Sequence, residues 1–541
     1  MQEQQSNPFN SRFLIAMVIF ALFYFLWNNH LQKKYPSYGK KPVASSSSDT
    51  SVNTNSSAIK DPTEKSDKIS EDLKAISNNN ADIKNEVKAI EEKKISFENN
   101  EVAFEITNKG MGLVNYKIKN YTDSEKNPIL LGQSKTRALF ELKIEDNKTL
   151  DFEMIELTKG TYKGVAKIDE LTIEREVKYN QENNFFENTV SINGINEKNL
   201  KKVAISLPES ITAAKSKSWL FPSYEHQDFY VSHANTTTTV NFSAAKENLS
   251  QEIKTVNLLS LGSQYFATAI LDKSEVIPDA FLTVNVNEAA ALGQFVYPIL
   301  PGKDSIVLKQ ILYAGPKSIN ILSSVNEELT NIINFGWMGF IAKPLLFTMK
   351  WFYTLVPNWG VAIILLTLLV RLFVLPFNLM SMKSMKAMQK IQPEMASIRE
   401  KYKDDPIKMN QEVMNLMKVN KANPFGGCLP MLLQIPIFFA LYRVIGSSIE
   451  LYQSPFFLWI TDLSAHDKFY VLPVLMGATM FFQQKLTPSN MDPAQAKILM
   501  WMPVVMSVFM LNLPSGLTLY MFVSGLFGIT QQYFILKSKP A

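Results

Sequence analysis

The chain of 541 residues has one cysteine, Cys428, and four histidines, His30, His226, His233 and His466. A single thiol excludes a disulfide framework and a cysteine-built zinc site. Imidazoles scattered this widely form no metal or general-base cluster, and no HExxH, GxSxG or P-loop spacing occurs. An excess of one charge is also missing: 55 basic against 50 acidic residues leave a net +5, too little over this length to point to a nucleic acid partner of specific sequence. The chain is therefore read as not an enzyme, with no cofactor, metal or catalytic residue expected.

Acidic residues are scarce where apolar residues are dense, which makes Arg371 conspicuous inside the run Val361 to Phe377. On a helix it would lie about 9 Å from Phe377 and about 18 Å from Trp359. Its guanidinium keeps its proton, and centring it in hydrocarbon costs from about 3 to over 10 kcal/mol. Water or polar side chains must solvate it, so a polar cavity cut into a bilayer from the nearer face is expected.

The composition divides the chain. Phe13 to Trp27 is apolar, follows Arg12 and has no nearby small-x-small cleavage site, so 1–30 reads as an uncleaved membrane anchor. The Ser-, Thr- and Asn-rich stretch that follows has too few large apolar residues to order itself, and 31–94 reads as a flexible tether. Period-two alternation then begins. Leu171, Ile173, Val177 and Tyr179 alternate with Thr172, Glu174, Glu176 and Lys178, and similar runs occur at 102–106, 152–157, 186–192, 281–286 and 306–313. Many short strands with little helix between them predict an antiparallel β-sandwich. Helical spacing of Ile319, Leu322, Val325, Leu329 and Ile332 closes that domain, at 95–334, with a helix. In 335–357 a stripe of Met338, Ile341, Leu345, Met349 and Phe352, flanked by Trp337 and Trp351, suits an amphipathic helix lying in a membrane interface.

The remainder, 358–541, carries five more apolar segments: 359–377, 429–445, 470–482, 498–511 and 517–535. With the anchor they make six spans. The loop 380–422 is strongly basic, so the positive-inside rule places it in the cytoplasm together with both termini, and exports the β-sandwich to the periplasm. Lys33, Lys34, Lys40 and Lys41 lie against this orientation, but long translocated domains weaken the rule. Within 380–422, Met388, Ile391, Met395, Ile398 and Tyr402 form one stripe. Asp404 and Asp405 precede Pro406, and Ile407, Met414 and Met417 continue the stripe on a second helix, which predicts a helical hairpin kinked at Pro393. From these residues alone, a secondary transporter or channel using Arg371 to bind an anionic substrate stays open, although no inverted repeat is visible. So does a structural assembly factor in which the β domain does the work.

The run Asn423-Pro-Phe-Gly-Gly-Cys-Leu-Pro-Met-Leu-Leu-Gln-Ile-Pro-Ile-Phe, with Asn358-Trp-Gly before the segment bearing Arg371 and Pro514-Ser-Gly-Leu-Thr-Leu-Tyr before the last one, closely resembles the YidC/Oxa1/Alb3 membrane protein insertase family, in its Gram-negative six-span form. The resemblance is strong over about 335–537. It implies a five-helix insertase core in the bacterial inner membrane, with a hydrophilic groove open to cytoplasm and lipid, through which integral membrane proteins are inserted, folded and helped to assemble, with or without the Sec translocon. The family's groove arginine falls on Arg371, with Thr367 one turn away and Gln434 as a further polar group. Phe438, Met476, Phe509 and Tyr520 fall where an inserting helix would meet apolar walls. Met521 departs from relatives that have a second tyrosine there, and Arg443 is expected to reach toward the periplasm, near Glu450. The implied partners are nascent membrane proteins, the Sec translocon, the ribosome, signal-recognition components and the lipid bilayer.

Overall fold

A computed structural model describes residues 91–541, apart from 124, 135, 146–147, 196–199, 213–225, 234–235, 300–301, 421–428, 487–492 and 538–541. The expected anchor, nearly all of the tether, and Cys428 lie outside the described residues.

Alternation of buried and exposed side chains produces strands where the sequence alternates, including Val102–Thr107, Leu171–Asn180, Phe185–Asn193, Asp279–Asn285 and Ser305–Pro316, while Glu153–Thr158 is an edge strand exposed at every side chain but Met154. All pairings are antiparallel and build a nine-stranded, a six-stranded and a four-stranded sheet. The two larger sheets bury their facing sides in one core, which includes Phe186 and Leu312 from one sheet and Ile205 and Phe295 from the other. Gly293 marks their close approach, since a Cβ there would lie 2.6 Å from Leu261 Cδ1 of the opposite sheet.

A chain of polar groups crosses this core. Arg175, fully buried, donates from Nε to Asn188 Oδ1 at 2.8 Å and from Nη1 to the Gly110 carbonyl at 2.6 Å. Asn188 Nδ2 donates to Gln310 Oε1 at 2.5 Å, Gln310 Nε2 to the Tyr297 hydroxyl at 2.9 Å, and that hydroxyl to Asp272 Oδ1 at 2.8 Å. Each pairing satisfies a group that would be costly alone in the interior, and only one strand register provides them all.

The outer face of the nine-stranded sheet is covered by helix α1, Ile319–Val325, and a short 3-10 helix, Glu327–Ile332. The sequence predicts one continuous helix here. It breaks because Asn326 is extended (φ −166°) and its side chain accepts from the Glu328 N–H, starting the second segment afresh.

Eight further helices follow: α2 (Gly339–Leu355), α3 (Trp359–Lys390), α4 (Gln392–Lys401), α5 (Pro406–Val419), α6 (Leu429–Ser447), α7 (Val471–Leu486), α8 (Pro493–Phe509) and α9 (Ser515–Lys537). Among the described residues α3 is the one helix long and apolar enough to cross a membrane by length and composition. The Asn358 side chain caps it, accepting from the Val361 N–H at 3.1 Å. Helix α9 packs on α3, α6 and α7; α2 packs on α3 and α6; α8 packs on α7.

Helix α3 runs past the expected end of its apolar segment. It stops at Ile391, where Pro393 begins α4, so the proline separates two helices instead of kinking one. The end of α3 and helix α4 pack on α5, with Met388, Ile391 and Met395 against Val413, Leu416 and Met417. Ile407 and Met414, expected in this seam, are exposed.

The β domain is bolted to the segment after α6. The Tyr452 hydroxyl donates to the Thr122 carbonyl at 2.8 Å, and its ring lies 5.0 to 6.2 Å from those of Tyr121, Tyr265 and Phe266. Gln453 Nε2 also donates to the Thr122 carbonyl, at 2.8 Å, and Gln264 Nε2 donates to the Gly446 carbonyl. Glu450 pairs with Lys350 of α2 at 2.7 Å. Arg443, expected near Glu450, forms no ion pair with it among the described residues; burial pushes the Asp228 carboxyl of the nine-stranded sheet up, opposed by the charges of His226, Lys317 and Arg443.

Candidate functional site

Helices α3, α6 and α9 bring polar side chains together inside an apolar bundle. Arg371, half-buried on α3, donates from Nε to the Ser524 hydroxyl of α9 at 2.7 Å, and from Nη2 to the same oxygen. One turn earlier on α9, the Tyr520 hydroxyl accepts from Gln434 Nε2 of α6. Ser524 and Tyr520 are both buried. The three helices are thus joined by a short polar seam, and Arg371 forms no ion pair with a carboxylate among the described residues.

The seam continues two turns further along both helices. Asn378 lies seven residues beyond Arg371 and Gln531 seven beyond Ser524. Asn378 Oδ1 and Gln531 Nε2 are enclosed without a hydrogen-bond partner among the described residues. Polar atoms left like this in an interior ordinarily hold water.

The other expected residues are placed as follows. Thr367 is on α3 one turn before Arg371, but its side chain is fully buried and its hydroxyl donates to the Ile363 carbonyl at 2.6 Å. Phe438 is half-buried beside the rings of Phe439 and Tyr442. Met476 is fully buried in α7, Met521 half-buried in α9, and Phe509 half-exposed at the end of α8. Ser524, the partner of Arg371, was missed by sequence reasoning. Its one signal is a serine four residues after Tyr520 in the last apolar segment. Among the described residues no group of His, Cys, Asp and Glu is arranged to hold a metal.

Comparison with known proteins accounts for both halves. The family described as YidC periplasmic domain matches residues 94–348, and the family described as 60Kd inner membrane protein matches residues 351–541. The chain belongs to the YidC insertase family. Its β-sheets are accordingly the periplasmic domain and its apolar helices the inner-membrane part. Among curated relatives, the membrane protein insertase YidC of Geobacter sp. (strain M21) is 44% identical over 281 residues, 52% of this chain and 52% of its own. That of Geotalea uraniireducens (strain Rf4) is 46% identical over 309 residues, 57% of this chain and 58% of its own. The match thus spans a little over half the length of these YidC relatives. A solved active YidC insertase aligns with 83% of this chain and 94% of its own at 20% identity, with a TM-score of 0.38, too loose a superposition to compare site geometry.

Proposed function

We propose that this chain inserts, folds and helps assemble integral proteins of the inner membrane, using the seam around Arg371 as a hydrophilic groove that takes up the polar segment of a substrate. The observation that carries the reading is the state of Arg371: a permanent cation set in an apolar bundle, held by the neutral hydroxyl of Ser524 and, among the described residues, by no carboxylate. Its charge is left for a transient partner. A polar tail cannot cross about 30 Å of hydrocarbon cheaply. A hydrated groove shortens that distance, Arg371 attracts acidic or carbonyl-rich segments, and apolar side chains such as Phe438 and Phe509 let the following helix move sideways into lipid. Transfer of that helix from water drives the last step, so no nucleotide is required.

Six spans, both termini in the cytoplasm and the expected domain limits belong to this reading, and the packing of the described helices bears on their orientation. The segment after α6 docks on the β domain through Tyr452 and Gln453, so if that domain is periplasmic, the end of α6 and the start of α7 are periplasmic as well. Gly360 at the start of α3 receives the ring of Phe456 from the same segment, which supports α3 running inward and the α4–α5 hairpin lying in the cytoplasm. There the basic hairpin is suited to meet the ribosome and signal-recognition components. The Sec translocon and the bilayer are the remaining partners in this reading.

The test is labelling of Arg371→Cys, in a Cys428→Ser background, with a membrane-impermeant thiol reagent. Reaction only from the cytoplasmic side of inverted vesicles is expected. Reaction from both faces would indicate a channel, and none from either face a buried structural arginine.

A further inference from the structure

The segment joining α6 to α7 exposes apolar side chains at places where a loop in water would put glycine or asparagine. Phe456 N–H donates to the Ile460 carbonyl at 3.0 Å and Ile460 N–H to the Phe457 carbonyl at 3.2 Å, closing a tight turn. At its tip Phe457 is 57% and Leu458 87% exposed. Leu458 also has φ 57°, in the left-handed region that a leucine enters only at a cost. The same combination recurs before α7, where Tyr470 has φ 55° and is exposed beside Phe469, itself 68% exposed.

The base of this loop is fixed. Asp462 Oδ1 accepts from the N–H groups of Gln453, Ser464 and Ala465, and Leu463 N–H donates to the Ser454 carbonyl at 2.9 Å. A rigid base and a strained, apolar tip hold these side chains outward, where they cannot fold back on the protein. The loop is continuous with helix α2 through the Lys350–Glu450 pair, and α2 turns Phe347 and Trp351 to the outside as well.

We propose that Phe457 and Leu458, with Phe469 and Tyr470, enter the periplasmic leaflet at the headgroup–acyl boundary and form a lipid anchor next to α2. The occupant is the bilayer itself. Bulky aliphatic and aromatic side chains without charge suit that depth, and both flanking helices are apolar. This inference rests on the orientation proposed above, in which the α6–α7 segment faces the periplasm.

The experiment uses the full chain in right-side-out vesicles of phosphatidylethanolamine and phosphatidylglycerol, with Cys428→Ser and Leu458→Cys carrying an environment-sensitive fluorophore. Blue-shifted emission is expected, with strong quenching by lipids bearing a nitroxide near the headgroup and little by external iodide. Water-like emission with quenching by external iodide would overturn the anchor and leave the orientation standing. Blue-shifted emission without nitroxide quenching would mean burial against protein, and would also overturn it. Quenching only by iodide trapped inside the vesicles would overturn the orientation as well. As a check on folding, Leu458→Asn relieves the backbone strain. It should leave the melting temperature unchanged or higher while weakening nitroxide quenching of a fluorophore at Phe469→Cys; unchanged quenching would count against the anchor.

Discussion

Arg371 and Ser524 meet across the α3–α9 contact with two guanidinium N–H groups directed at one hydroxyl oxygen, the first at 2.7 Å. This holds the cation in one orientation without neutralising it, a different arrangement from the buried ion pair that would satisfy such a charge permanently.

Removing the charge and removing its support should therefore have separable effects. Arg371→Ala should lower insertion several-fold for substrates with acidic translocated tails and hardly at all for those with neutral tails. Ser524→Ala should destabilise the chain by about 1.5–3 kcal/mol, the usual worth of a hydrogen bond to a charged group, while retaining part of the acidic-tail preference. Protease protection of substrates inserted into proteoliposomes checks the first expectation and chemical denaturation the second. Equal loss for all substrates in Arg371→Ala would refute the electrostatic role.

The junction between the β domain and the segment after α6 rests on Tyr452. Tyr452→Phe loses one hydrogen bond and should cost about 1 kcal/mol. Tyr452→Ala also empties an aromatic nest and should cost about 3–5 kcal/mol. Chemical denaturation of the full chain checks both values, and a Tyr452→Ala variant as stable as the parent would show that the junction is held elsewhere, as by Gln453 on the Thr122 carbonyl.

In the periplasmic domain, burial holds the Glu209 carboxyl up to about 8 despite backbone hydrogen bonds from Gly132 and Ser210. Between its ordinary 4.5 and that value the folded protein keeps a proton that the unfolded chain has released. This contribution to stability is complete at low pH and declines as pH rises through the window. Glu209→Gln should remove that decline. The melting temperature of the variant minus that of the parent should therefore grow from pH 5 to pH 8; a constant difference would exclude the shift.

Gly477 lets α7 approach α8, since a Cβ there would lie 2.2 Å from Ser507 Oγ and 3.0 Å from Ser507 Cβ. Gly477→Ala should destabilise the pair of helices, and Ser507→Gly in the same chain should restore much of the loss. Thermal melts of the single and double variants would decide, and additive losses would rule out this contact as the cause.

The sequence revealed the β domain where one face of a strand meets the core and the other meets water, as in Leu171–Asn180. It hid Val256–Ser263 and Phe266–Asp272, which are buried on both faces and so lack alternation. The break at Asn326 was hidden because apolar spacing continues through it, and only the extended Asn326 backbone and its side-chain cap on the Glu328 N–H separate the two segments. Arg371 was legible because a charge in an apolar run stands out against its neighbours. Ser524 was not, because a serine is common in apolar helices and only the fold decides which one faces the guanidinium.

The cover over the nine-stranded sheet bears on how the periplasmic half can be isolated. Leu258, Ala267, Leu271 and Tyr313 lie beneath Leu322, Leu329 and Ile332 in one apolar cluster. A fragment ending at the last strand would leave that face wet and self-associating, whereas one carried through the 3-10 helix would keep it covered and stay monodisperse in buffer.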